Sequence, residues 1–206
     1  LPAINSFLDS CGVPDSHRFP FPKCYFGLGV EGDKPEDYNF ILVLEDLVAS
    51  RHKFWDQGAN KSFDWVHASA AIKSIALFHA ATAAYKISKG FKLYSEEFPR
   101  FIKHTVDDPA LDHYIKTGFE VTREVLAEEE APEGLLERLN LLEEKFKPIV
   151  QKMLIDVDQN CVNVVRHSDL HFFNVAFLYD ESVNSVEAKW FDFQNCSEGR
   201  PMADLA

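Results

Sequence analysis

Residues Val164–Asn174 read Val-Val-Arg-His-Ser-Asp-Leu-His-Phe-Phe-Asn and are the most informative segment of this chain. The β-branched residues at the start of the segment predict a strand, which leads into a polar loop that carries Asp169. Asn174 follows Asp169 by five residues, and a second strand-like run, Val186–Gln194, carries Asp192 near its end. A carboxylate, a carboxamide and a second carboxylate therefore lie close to two predicted strand ends.

This polar set is typical of a kinase active site. In such a site the first aspartate, here Asp169, orients and deprotonates an attacking hydroxyl group, while the asparagine and the second aspartate hold Mg²⁺ on the nucleotide phosphates. Mg²⁺ prefers hard oxygen ligands and retains water, so Asn174 and Asp192 are sufficient protein ligands. The spacing leaves room for a hairpin, Val175–Tyr179 with Val186–Asp192, whose open end brings Asn174 and Asp192 together.

Five motifs along the chain carry a resemblance to a known family. They are Pro-Lys-Cys-Tyr-Phe-Gly (22–27), Leu-Glu-Asp-Leu (44–47), Leu-Phe-His-Ala (77–80), His-Ser-Asp-Leu-His-Phe-Phe-Asn (167–174) and Phe-Asp-Phe-Gln (191–194). Together they resemble the ecdysteroid kinase-like (CHK kinase-like) family, which belongs with the choline and aminoglycoside kinases. Each motif alone is weak, but their order is specific, and the resemblance covers nearly the whole chain.

The resemblance implies an α/β (α+β) fold of the protein-kinase-like, two-lobe kind. Residues 1–47 are then the remnant of an N-terminal β lobe that ends in the hinge, and residues 48–206 form a mainly helical lobe with the catalytic and metal-binding loops. In the family, a glycine-rich hairpin, a strand lysine and a helix glutamate precede the segment that Leu1–Ile4 resembles. We therefore expect a fragment with a truncated N-terminal lobe, which is not a competent kinase by itself.

The resemblance also implies roles for individual residues. Asp169 is the catalytic base and Asn174 and Asp192 are the metal ligands, as the spacing already indicates. The family's hinge, where backbone groups receive adenine, corresponds to Leu44, Glu45 and Leu47. Structural support of the catalytic loop is expected from His167, His79 and Asp204. His79 lies on an apolar helix face, where a histidine is more often a hydrogen-bonded core residue than a catalyst.

Two departures from the family pattern leave the activity open. The family usually has Gly where this chain has Ser168, and many members have Asn where it has Phe173. A catalytically silent nucleotide-binding or scaffold protein is therefore the alternative to an ATP-dependent kinase that phosphorylates an alcohol. The family name favours an ecdysteroid-like steroid alcohol, and a choline- or ethanolamine-type kinase is the near alternative. The acceptor pocket is expected among the helices between Phe98 and Leu154.

Three other patterns suggest different chemistry and are weaker. His167 and His171 would face one metal ion if they lay on a helix, but the β-branched approach favours a strand and loop. Ser168 lacks the surroundings of a nucleophilic serine. The run Gly27–Gly32 matches G-x-G-x-x-G, yet a loop rather than a helix follows, so we interpret it as a hairpin turn.

Length and charge limit the classes of partner. The chain has 206 residues and a net charge of −12, which argues against nucleic acid as a partner. An acidic protein tolerates a triphosphate only with a cation, in agreement with ATP and Mg²⁺ as cofactors. Its four cysteines are not closely paired, and we find no signal peptide and no apolar run that could span a membrane. We expect a cytoplasmic monomer.

Hydrophobic periodicity predicts the remaining elements. The clearest helix is Ser62–Tyr85, and two more are predicted at Leu111–Leu126 and Leu135–Leu154, with a further candidate at Phe98–His104. One face of the first helix is predicted to be apolar through Trp65, Ala68, Ile72, Ile75, His79 and Ala83. Upstream, the runs Cys24–Phe26 and Phe40–Leu44 predict a β-hairpin.

Overall fold

The computed structural model describes residues 2–19, 21–30, 39–55, 62–98, 109–129, 132, 134–150, 152, 162–182 and 184–205. The helices of this part of the chain are α1 (Pro2–Ser10), α2 (Trp65–Lys89), α3 (Tyr94–Glu97), α4 (Pro109–Glu128) and α5 (Leu135–Val150). The strands are β1 (Cys24–Val30), β2 (Asn39–Leu44), β3 (Lys53–Phe54), β4 (Val164–Arg166), β5 (Val175–Asp180), β6 (Ser185–Trp190) and β7 (Ser197–Gly199). This mixture of helix and sheet confirms the predicted α+β class.

Within the described residues, the strands form three small sheets. β1 pairs with β2, β5 lies between β3 and β6, and β4 pairs with β7, and each of these pairings is antiparallel. The β5–β6 pairing begins at Val175 opposite Trp190 and ends at Asp180 opposite Ser185. The hairpin predicted from the spacing of Asn174 and Asp192 is therefore confirmed.

The chain divides into two compact units. The first contains Leu1–Gly90 and His167–Asn195, and the second contains Phe91–Arg166 and Cys196–Ala206. The predicted lobe boundary after Leu47 stays a prediction. In the part of the chain that the structure describes, no helix is long and apolar enough to cross a membrane.

Helix α2 organises the first unit. It begins after Asp64, whose carboxylate accepts a hydrogen bond from the His67 N–H, and it ends at Gly90, which adopts a left-handed φ of 74°. These caps explain why it starts and ends later than predicted from the pattern. Its buried side chains pack toward β6, where the Trp190 indole N–H donates to the Ala71 carbonyl at 3.3 Å. Val175, Ala176 and Phe177 of β5 are fully buried in the same core.

The predicted apolar face of α2 is partly wrong. Trp65 is 82% exposed and Ile72 is 50% exposed, while the buried side chains are Ala71, Ser74, Ile75, Phe78, His79, Ala81, Thr82 and Tyr85. Small and polar residues such as Ala71 and Thr82 form much of the contact face, because the helix packs closely on the sheet. The face selected from the sequence pattern is therefore rotated from the buried one, with Ile75 and His79 common to both.

The glycine-rich run lies in a strand where the structure describes it. Gly27 and Gly29 belong to β1 and pair with Leu42 and Phe40 of β2. The turn assigned to them from the sequence is therefore wrong for these two residues, and residues 31 and 32 lie outside the described residues. Side chains of this hairpin that the structure describes are largely exposed, including Tyr25, Phe26, Leu28, Ile41 and Leu42.

The second unit is built on the α4–α5 pair and the β4–β7 pair. The helices run antiparallel, with Phe119 and Phe146 in edge-to-face contact at 5.3 Å and Arg123 paired with Glu143. Asp112 of α4 binds both Lys116 and Lys147. Both helices confirm predicted ones, although α5 is described only to Val150, and residues 99–104 of the fourth predicted helix lie outside the described residues.

Candidate active site

The predicted catalytic loop begins at His167, directly after β4. All three residues of β4 are buried, and the chain then turns at Ser168, which is exposed and has a left-handed φ of 65°. A non-glycine residue in this region is strained by contact between its Cβ and the backbone. The loop then continues to Asp169, which is partly exposed beside the turn.

His167 is the buried anchor of this loop. Its side chain is fully buried, and its Nε2 lies 2.8 Å from the carbonyl oxygen of Phe191, so the ring donates a hydrogen bond to that carbonyl. The ring of Phe193 packs on it, with the centroids 4.5 Å apart. The loop is thus tied to the residue that precedes Asp192. The supporting role of His167 itself stays a prediction.

The carboxylate of Asp169 is oriented by neighbouring amide groups. The Asn174 Nδ2 donates to the Asp169 backbone carbonyl at 3.1 Å and lies 3.3 Å from Oδ2. Asn195 Nδ2 approaches the same Oδ2 at 3.4 Å. The other oxygen, Oδ1, faces His171 Nε2 at 3.6 Å. Sequence reasoning missed Asn195, because nothing in the Asn195-Cys196-Ser197 run suggests contact with a residue 26 positions upstream.

The hairpin places the two predicted metal ligands at its open end. The Phe191 N–H donates to the Asn174 carbonyl at 3.0 Å, continuing the β5–β6 register by one step. Asp192 is the next residue; it is exposed and has a φ of 61°, so the chain turns there. The sequence-based expectation that this hairpin brings Asn174 and Asp192 to one end is met.

These two residues carry the oxygen donor types that a hard divalent cation takes. The Asn174 amide directs its nitrogen to Asp169, which leaves its oxygen as a ligand, and Asp192 adds an exposed carboxylate. One carboxylate and one amide are typical of Mg²⁺ bound together with substrate phosphates. Among the described residues, no group of three or more His, Cys, Asp and Glu side chains could hold a metal ion. The zinc alternative is also unsupported by geometry, because His167 is fully buried against Phe191 while His171 is exposed.

At the predicted hinge, the side chain of Glu45 is held by three donor groups. Lys189 Nζ lies 2.9 and 3.2 Å from its two carboxylate oxygens, Ser50 Oγ donates at 2.7 Å, and the Lys23 N–H donates at 3.1 Å. Burial alone raises the pKa of Glu45, but these hydrogen bonds outweigh it and lower the pKa to about 2. Leu47 is buried and Leu44 is 42% exposed. The Glu45 carboxylate is thus fully engaged within the chain, and the adenine-binding role of Leu44, Glu45 and Leu47 stays a prediction.

The other two predicted support residues are both buried. His79 lies on α2 in the first unit, and Asp204 lies in the short turn after β7 in the second unit. Burial lowers the pKa of the Arg166 guanidinium, and the nearby Asp204 carboxylate partly offsets this effect. The roles of His79 and Asp204 in bracing the catalytic loop stay predictions.

Comparison with known proteins identifies the family. A profile of the ecdysteroid kinase-like family matches residues 1–206. The chain belongs to the ecdysteroid kinase-like family. No curated protein and no solved structure matches it. Membership of the ecdysteroid kinase-like family confirms the resemblance seen in the sequence and implies a kinase-like enzyme, with phosphotransferase activity and nucleotide and divalent-metal use in general terms.

Proposed function

We propose that this member of the ecdysteroid kinase-like family transfers the γ-phosphoryl group of ATP to a hydroxyl group of a small alcohol. An ecdysteroid-like steroid alcohol is the favoured acceptor, and choline or ethanolamine is the near alternative. The observation that carries the proposal is the position of Asp169 beside Asn174, which is itself bonded to the residue before Asp192.

In the proposed reaction, Asp169 acts on the acceptor hydroxyl. Its carboxylate accepts the hydroxyl proton as the new oxygen–phosphorus bond forms and the bond between the γ-phosphorus and the ADP oxygen breaks. The Asn174 amide fixes the carboxylate, since it donates to both the backbone and the side chain of Asp169. Asn174 and Asp192 would hold Mg²⁺, which supplies charge neutralisation at the phosphates.

Replacing Asp169 by Asn tests the proposal. A positioned general base contributes about 10²–10⁴-fold, so Asp169→Asn in the complete protein should lower kcat by this order and leave the Kd for MgATP almost unchanged. Transfer of phosphate from ATP to a panel of ecdysteroid, choline and ethanolamine acceptors gives kcat, and calorimetry gives Kd. Asp180→Asn is the matched control, because Asp180 lies at the opposite end of β5 from Asn174.

The outcomes separate the proposed enzyme from the silent alternative. A complete wild-type protein that binds MgATP but transfers phosphate to none of the acceptors would favour the nucleotide-binding or scaffold protein. If wild type is active and Asp169→Asn retains near wild-type turnover, Asp169 is not the base.

A further inference from the structure

The ion pair between Glu45 and Lys189 connects two segments that are far apart in the sequence. Glu45 directly follows β2, whereas Lys189 lies on β6, and their charged groups approach to 2.9 Å. The two side chains are only 17% and 15% exposed, so the pair is mostly removed from water. All the residues of this contact lie in the first compact unit.

The position of Lys189 links this pair to the proposed metal site. Lys189 precedes Asp192 by three residues and pairs with Ala176, which follows Asn174 by two residues. Both proposed metal ligands are therefore within a few residues of Lys189 along paired strands. Glu45, at the other end of the contact, is one of the residues expected to border the adenine.

The contact restricts the positions of the two side chains as well as pairing their charges. Both Glu45 oxygens contact Lys189 Nζ, and Ser50 and the Lys23 N–H hold the same carboxylate from two other directions. A partly buried charge with several charge-assisted donors has little freedom to change its position. The segment after β2 and the strand that leads to Asp192 are thus held at a set separation.

We propose that the Glu45–Lys189 ion pair is a positioning device that sets the distance between the adenine-binding hinge and the phosphate-binding metal site. This proposal rests on the proposed function, because it assigns the two ends of ATP to those two places. A ligand with two linked parts gains affinity only if both parts reach their sites at once. The ion pair prepares this arrangement before ATP binds, which lowers the cost of binding.

The test compares ATP with its two separate halves. The main variant is Glu45→Gln combined with Lys189→Met, because removal of both partners of a buried pair disturbs folding less than removal of one. Kd is measured on the complete protein for adenosine, for tripolyphosphate with Mg²⁺, and for MgATP, at a temperature where circular dichroism shows the variant to be folded. The control is Glu187→Gln combined with Lys73→Met, which removes the same two charges from exposed positions.

We expect the main variant to bind MgATP about 10-fold more weakly, with less than about a twofold change for adenosine and for magnesium tripolyphosphate. A purely structural role would not single out the joined ligand. If the double variant does not fold, the single variant Glu45→Asp is measured, which keeps the charge and shortens the side chain by one methylene group, and a weakening of about threefold confined to MgATP is expected.

Two results would overturn the proposal in different ways. Unchanged MgATP affinity in the variants, or equal weakening of all three ligands, would show that the ion pair does not couple the two sites, while leaving the kinase function intact. A complete wild-type protein that binds none of the three ligands would reject the proposed function itself, and this inference with it.

Discussion

At the scale of single residues, the candidate site contains two non-glycine residues in the left-handed region. Ser168, which directly precedes Asp169, has a φ of 65°. Asp192, which follows the β5–β6 hairpin, has a φ of 61°. Such conformations are unfavourable for residues with a Cβ and are found where a functional site requires a particular chain direction. The structure therefore gives a physical reason for the glycine that the family usually has at the position of Ser168.

We predict that Ser168→Gly is more stable than Ser168→Ala by about 0.5–1 kcal/mol. Glycine removes the Cβ strain, although it also increases the freedom of the unfolded chain. The alanine variant is the reference, because both substitutions remove the hydroxyl group and only one retains the Cβ. Urea unfolding measures the difference. A glycine variant that is less stable than the alanine variant would show that Ser168 is not strained.

The left-handed conformation also determines how Asp192 should be tested. Alanine at this position combines loss of the carboxylate with backbone strain, whereas asparagine tolerates a positive φ. We predict that Asp192→Asn abolishes the Mg²⁺ dependence of ATP binding, because it removes the charged ligand of the proposed site. Asn174→Ala should weaken this dependence less, since an amide is neutral. Calorimetric titration with ATP, with and without Mg²⁺, measures the effect, and unchanged Mg²⁺ dependence in Asp192→Asn would reject the metal assignment.

At the scale of elements, the β4–β7 pair is fitted closely around one arginine. Arg166 of β4 is 5% exposed, and its Nη2 donates to Ser197 Oγ of β7 at 2.7 Å. Gly199, also on β7, lies so near that an added Cβ would approach Arg166 Nε to 2.7 Å. A side chain at this position would push on the Arg166 guanidinium group, which is buried and hydrogen-bonded to Ser197.

We predict that Gly199→Ala destabilises the chain by about 1–3 kcal/mol, as expected for overpacking in a filled core. Gly118→Ala is the matched control in the same unit, because Gly118 lies within α4 and its added Cβ meets no atom within 4 Å. The control should be more stable than wild type by about 0.5–1 kcal/mol, since alanine favours helix. Chemical denaturation compares the two variants. Equal effects of the two substitutions would contradict the packing at Arg166.

At the scale of the whole molecule, acid stability depends on ionised carboxylates in both compact units. In the first unit, hydrogen bonds outweigh the effect of burial and lower the pKa of Glu45 to about 2. In the second unit, hydrogen bonds from Lys116 and Lys147 lower the pKa of Asp112 to about 2. The ordinary values are 4.5 and 3.8. Both folded-state pKa values lie below the ordinary ones. The contribution of each carboxylate to folding stability is therefore fully present above its ordinary pKa and is lost as the pH falls toward 2.

We predict that the free energy of unfolding decreases as the pH falls from about 4.5 to about 2, and that Glu45→Gln shows a smaller decrease than wild type. The variant lacks the titrating group, so the difference in free energy of unfolding between wild type and Glu45→Gln should narrow with falling pH. Urea denaturation at several pH values measures this gap. A gap that stays constant from about pH 5 to about pH 2.5 would show that Glu45 has no lowered pKa in the folded protein.

The sequence by itself determined the elements that depend on local patterns. The antiparallel hairpin at the site followed from the spacing of Asn174 and Asp192, since strand pairing with a short turn leaves few other arrangements. The helices α2, α4 and α5 followed from their periodicity, and the motif order was sufficient to identify the family. In each case neighbours along the chain, or residues separated by one turn, carry the physical information.

Only the tertiary structure decided which distant side chains meet. The contacts of Asn195 with Asp169 and of Lys189 with Glu45 join residues 26 and 144 positions apart, and no local pattern records such a pairing. The buried face of α2 was also decided by tertiary packing, because small residues such as Ala71 allow the close approach to β6. These features depend on the three-dimensional arrangement of whole elements, in which burial and charge pairing act between surfaces and not along the chain.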